Sequence, residues 1–160
     1  MKRRIISAVL CLMLVFALTA CGKDGNTQDT SEKKNEVTSV TGEVVKAEIP
    51  SGWCIVTSTE MTGASGEDFI CHAQKYEVGT AYLQVVPDSR DISEIKQVLE
   101  SADPFGAYSG EVKLANGTWY IAENAAAAVI GGKPVMVKGY ACDFGSDEVL
   151  SILGSLQWIE

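Results

Sequence analysis

Residues 111–122 read EVKLANGTWYIA, and this stretch decides the fold class. Val112, Leu114, Trp119 and Ile121 recur at the period of two that a half-buried strand requires. Asn116-Gly117 separates the two halves, and this dipeptide suits a two-residue type I′ turn whose central residues both take positive φ. With those residues as the loop, Ala115 pairs with Thr118, Leu114 faces Trp119 and Val112 faces Ile121. The four apolar side chains then share one face, while Glu111, Lys113 and Tyr120 share the other. Turn chemistry and alternation choose the same register.

Downstream, Ala126 to Ile130 and Pro134 to Cys142 form a second hairpin around Gly131-Gly132, with a loop of two or three residues. Pro134 belongs at a strand start or an edge, since it has no N–H to give a ladder. Ser146 is a good helix N-cap, and Asp147 and Glu148 complement the helix N-terminus. Val149, Leu150, Leu153 and Leu156 make the apolar stripe of that closing helix. Upstream, Glu43 to Ile49, Trp53 to Thr57, Asp68 to Tyr76 and Ala81 to Val86 read as strands, with Pro50-Ser51-Gly52 as a turn and Ser58 to Gly66 as a polar loop. Asp91 and Glu94 fit a capping box, with Ile92, Ile95, Val98 and Leu99 on one face. That predicts a helix from Ile92 to about Ala102, stopped by Pro104. Hairpins dominate, so the expected class is α+β: a mostly antiparallel sheet carrying a mid-chain and a C-terminal helix.

The N-terminus has a different character. Lys2, Arg3 and Arg4 precede an apolar run from Ile5 to Ala17, and Leu18-Thr19-Ala20-Cys21 follows. This order of parts is that of an export leader, and its last four residues resemble the lipobox of bacterial lipoproteins. The resemblance implies cleavage between Ala20 and Cys21 and a diacylglyceryl group on the Cys21 thiol. An uncleaved span is disfavoured, because Ile5 to Ala20 falls short of the roughly 20 apolar residues a membrane helix needs. Two acyl chains anchor stably where one does not. The expected location is the extracytoplasmic face of the cell membrane, with the membrane itself the first partner through the lipid on Cys21. Gly22 lacks the Asp that, by resemblance to enteric lipoproteins, retains a protein at the inner membrane.

The expected organisation is therefore a signal peptide over residues 1–20, a lipidated N-terminus and disordered linker over 21–41, and one globular domain over 42–160. The linker is polar and nearly free of large apolar residues, so it cannot bury enough surface to fold. About 120 residues remain, enough for one ordinary core. Removing the leader's three basic residues from 13 leaves ten against 21 acidic ones, a net of −11. That balance disfavours nucleic acid, which wants a basic face.

Cys11 falls in the leader and Cys21 takes the lipid, which leaves Cys54, Cys71 and Cys142. An exported chain permits disulfides. The three residues read as buried thiols or as one structural bridge, and the sequence allows Cys54 with Cys71, or Cys142 with either. Cys71-His72 does not read as a metal site, because strand neighbours point to opposite faces and no CxxC or HxxxH spacing accompanies them. Asp143, Asp147 and Glu148 lack calcium-loop spacing, and residues 63–66 (GASG) lack the Lys of a phosphate loop. No cofactor is expected. His72 is the one candidate base, and no GxSxG elbow accompanies any Ser. Trp53, Trp119, Tyr120, Tyr140 and Trp158 are pocket candidates, with Trp53 and Trp119 better placed for the core and Trp158 for packing the last helix down.

Residues Ile49 to Trp53 after a first strand, the hairpin-rich middle and the close Leu153-Gly-Ser-Leu-Gln-Trp158 resemble PsbP-like domains. That family includes accessory factors and lipoproteins, and the resemblance implies no catalytic residues. The first functional expectation is a non-enzymatic domain binding an envelope protein or small ligand. The second is a thiol- or His-dependent enzyme or redox factor using Cys71, His72 or Cys142. The third is a structural accessory of an envelope complex.

Overall fold

The computed structural model describes residues 36–63, 65–73 and 75–159. The expected leader, the expected cleavage site at Ala20 and Cys21, and the cysteine expected to carry the lipid lie outside the described residues.

Among the described residues, ten strands and three helices follow in chain order: β1 (Val37–Thr41), β2 (Val45–Pro50), β3 (Cys54–Thr57), α1 (Ser58–Thr62), β4 (Asp68–Cys71), β5 (Tyr82–Pro87), α2 (Ile92–Glu100), β6 (Tyr108–Leu114), β7 (Gly117–Ala122), β8 (Ala125–Ile130), β9 (Lys133–Tyr140), α3 (Asp147–Ser155) and β10 (Gln157–Trp158). Seven strands form one sheet in the order β3-β4-β5-β9-β8-β7-β6, and β1-β2-β10 form a smaller one. Every pairing is antiparallel. The class is α+β, as the hairpin pattern indicates.

Alternation divides the large sheet between two cores. On one face Trp119, Ile121, Ala126, Ala128, Val135 and Val137 pack under α3 and β2, which contribute Ile152, Leu153, Val45 and Ala47. On the other face Ala122, Ala125, Ala127 and Met136 pack under Ile95 and Leu99 of α2. The alanines of β8 serve both layers by parity. Each fully buried Leu or Ile is worth about 1.5–3 kcal/mol against exposure. Ile152 of α3 is fully buried, although the expected stripe ran through Leu150, which is half-buried.

The helix caps follow sequence chemistry. At α2, the Asp91 carboxylate accepts from Ser93 N–H at 2.7 Å and Glu94 reaches back to Asp91 N–H at 3.2 Å. Ser146 Oγ accepts from Val149 N–H at 3.3 Å to start α3. The region read as a polar loop holds α1 instead. Its capping box runs between Thr57 and Glu60, a T-x-x-E pattern that the following glycines obscured.

Three further expectations are corrected. The linker does not extend to residue 41, because Val37 to Thr41 pair with Pro50 to Lys46 of β2. Four of the five residues of VTSVT are β-branched, which favours a strand, and Val40 packs on the core. The folded body thus begins before residue 42. The strand expected to run to Tyr76 ends at Cys71. The β6–β7 register is displaced: Leu114 pairs with Gly117 and Val112 with Trp119, so Ala115-Asn116 is the loop. The apolar four keep their common face, because the slip moves both strands by one residue. The turn is set by tertiary bonds: Asn116 Nδ2 donates to the Leu153 and Leu156 carbonyls at 2.7 and 3.0 Å, and its Oδ1 accepts from Trp119 Nε1 at 2.9 Å. The second hairpin has the two-residue loop. Ile130 pairs with Lys133, and Gly131 and Gly132 take φ of 55° and 81°, the paired positive values of a type I′ turn.

Candidate functional site

The three domain cysteines gather at one end of the large sheet. Cys54, Cys71, Tyr82 and Tyr140 stand opposite one another across β3, β4, β5 and β9, so their side chains share a face. Tyr82 stacks on Tyr140 with centroids 5.6 Å apart, and Tyr76 and Phe69 meet Tyr82 edge-on at 6.2 and 5.8 Å. Cys142 lies beyond the end of β9, where its thiol donates to the carbonyls of Tyr82 and Tyr140 at 3.3 and 3.4 Å.

Cys71 is fully buried, while Cys54 and Cys142 are half-buried. Burial pushes the Cys71 thiol up to about 12. Burial also raises Cys54, against the hydrogen bonds it makes with the thiol and backbone of Cys71, and raises Cys142. A catalytic nucleophile needs the opposite shift, since the thiolate is the reactive form; raised thiols exchange only slowly. His72 points away from Cys71: its ring sits 5.0 Å from that of Trp53, which belongs with Ile70 to the core on the other face of β4. Cys71 and His72 thus diverge, as strand neighbours should. Among the described residues, no three His, Cys, Asp or Glu side chains converge to hold a metal ion.

A second feature carries no thiol. A cleft of about 450 Å³ lies between β6 and the turn leading into α3. Ladder register shifts between Tyr108 and Gly110, and this bulge lets the edge strand bend away from the α3 turn. Val112, Ile121, Phe144 and Leu150 form an apolar floor, with Ser109, Glu123 and Asp143 at the rim. Asp143 Oδ1 accepts from Gly145 N–H at 2.8 Å and its carbonyl accepts from Ser146 Oγ at 2.7 Å, so the turn is held by its own chain. Glu123 is exposed. Such a floor and rim hold an apolar body by burial and orient a donor group at a carboxylate. Neither the bulge nor Glu123 was singled out from sequence. Gly110 and Glu123 both adjoin well-read strands, but their convergence on Asp143 depends on the chain returning from β9. Of the aromatic candidates, Trp53 and Trp119 are core residues, Trp158 packs against the same core, and Tyr140 is exposed.

A different polar centre is structural. Asp68 is fully buried, and its carboxylate accepts from the N–H groups of Glu43, Val44 and Val45 at 2.7, 2.8 and 2.8 Å. These bonds tie the β1–β2 turn to the large sheet.

Comparison of the chain with protein-family models, curated proteins and solved structures finds no match in any of the three.

Proposed function

We propose that this chain is a lipid-anchored, extracytoplasmic binding domain of the cell envelope, without catalysis of its own. The cleft beside the β6 bulge carries the reading: about 450 Å³ with an apolar floor and a carboxylate rim is in the range of small-molecule sites. The lipobox-like quartet ending at Cys21 supports the membrane location, and the resemblance to PsbP-like domains fits an accessory or binding role. The raised thiols leave little thiolate at neutral pH, and the His72 ring lies beside Trp53 rather than Cys71, which favours binding over thiol-based catalysis. The preferred ligand has an apolar body and one hydrogen-bond donor or cationic end, matched to Glu123.

The test is a thermal-shift series on the full chain in detergent, using alkyl amines, amino-acid amides and fatty acids. An amine-ended ligand at a hundred times its Kd stabilises the fold by about 2.7 kcal/mol. Ala107 is an exposed residue lining the same cleft, and the same ligand should lose its shift in Ala107→Trp, which fills that rim. A shift that survives this variant, or none from any amine, overturns the reading.

A further inference from the structure

Cys54 and Cys71 stand directly opposite on β3 and β4, close enough that each thiol perturbs the other's ionisation. Their position in the ladder follows from two flanking bonds. Ser58 N–H donates to the Glu67 carbonyl at 3.0 Å, and His72 N–H to the Ala81 carbonyl at 2.8 Å. Antiparallel ladders alternate hydrogen-bonded and non-hydrogen-bonded pairs. Counting from Ser58–Glu67 makes Cys54–Cys71 a hydrogen-bonded pair, and counting from His72–Ala81 gives the same answer.

That position separates this pair from an ordinary structural bridge. Facing Cβ atoms at hydrogen-bonded pairs stand toward the wide end of about 4.5–5.5 Å, whereas a disulfide holds them near about 3.8 Å. Closing the bond draws β3 inward. β3 is an edge strand of four half-buried residues, the part of the sheet best able to move. The resulting strain makes the bond easier to reduce. Access is one-sided: Cys54 borders a groove of about 460 Å³ that Glu60, Met61, Lys75 and Tyr76 help to line, while Cys71 is fully buried behind it. The Cys142 thiol is engaged by the Tyr82 and Tyr140 carbonyls.

We propose that Cys54 and Cys71 are a reversible thiol–disulfide pair, oxidised by a small-molecule disulfide that enters beside β3, with Cys142 remaining a thiol. Cys54 loses its proton to solvent and, as thiolate, attacks one sulfur of the oxidant, breaking its S–S bond and releasing one thiolate that takes up a proton. Cys71 then loses its proton to solvent and attacks the Cys54 sulfur, expelling the second thiolate. The two protein thiols lose two electrons together, and the oxidant gains both as two thiols.

The experiment equilibrates the reduced full chain, in detergent, with glutathione disulfide, then alkylates it under denaturing conditions and digests after Lys and Arg. Cys54 and Cys71 fall on one fragment, residues 47–75, so the bridge reads as a loss of two hydrogens and no label there. Cys142, on residues 139–160, should carry the label. Excess reduced glutathione should restore both labels. In Cys71→Ala a glutathione adduct should accumulate on Cys54. Cys142→Ser, which leaves the buried pair untouched, should still form the bridge. The proposal is overturned by linkage of Cys142 to either partner, by a lasting adduct on wild-type Cys54 with Cys71 labelled, by both thiols staying reduced, or by a bridge that excess glutathione does not open.

Discussion

Gly42 and Asp68 meet with no room for another carbon: a methyl group at Gly42 would overlap the Asp68 carboxylate. The chain can wrap that buried carboxylate with three successive N–H donors only because residue 42 has no side chain. Asp68→Ala should strand those donors and cost about 3 kcal/mol or more. Gly42→Ala should also destabilise, by forcing the turn off its acceptor. Urea midpoints of the two variants against the parent chain measure both effects. An Asp68→Ala midpoint equal to the parent's would show that the cradle contributes nothing.

Asn116 links the β6–β7 turn to the end of α3 and to a buried indole. Asn116→Ala removes the acceptor of Trp119 Nε1 and the donor to two carbonyls, and should cost about 2–4 kcal/mol. Asn116→Asp keeps the acceptor but places a negative charge at the helix C-terminus, where it is unfavourable. It too should lower the midpoint, and an unchanged one would assign the turn to local chemistry alone.

The faces of the β6–β7 hairpin were legible because an apolar period of two survives any slip that moves both strands equally. Its register was not, because the partners of Asn116 lie about 40 residues downstream and local turn preference cannot report them. β1 was obscured for a related reason: most of its side chains are exposed, so composition reads as linker while β-branching reads as strand. Asp68 showed only as an acid leading an apolar strand. The thiols were found as residues, but that Cys54 and Cys71 stand opposite one another needed the strand order.

Cys71 gives the fold an alkaline weakness. Its pKa is raised to about 12 from an ordinary value of 9.0 by burial, so above the ordinary value the unfolded chain releases a proton that the folded chain keeps. Stability from this group is full below about pH 9 and declines as pH rises toward about 12, at up to about 1.4 kcal/mol per pH unit. Denaturation followed from pH 8 to 11 should show the decline, and Cys71→Ala should flatten it. An equal slope in that variant would place the effect on the other raised groups, Cys54, Cys142, Tyr82 and Tyr108.

Mass spectrometry of the polypeptide from cell envelopes should find a chain beginning at Cys21 and heavier than its amino acids by its acyl groups. Cys21→Ala should retain the leader and lack the added mass. A wild-type chain with a different first residue, or an unmodified Cys21, would refute the lipid anchor.

β2 is flanked by β1 on one side and β10 on the other, so the first and last strands of the folded body hang on one neighbour. Any pull arriving through residue 36 is felt first by the five-residue β1 ladder, and next at the turn gripped by Asp68. Under load, mechanical resistance should therefore come from a carboxylate and three amide hydrogens rather than from the hydrophobic interior, and single-molecule stretching of Asp68→Ala should show a lower rupture force.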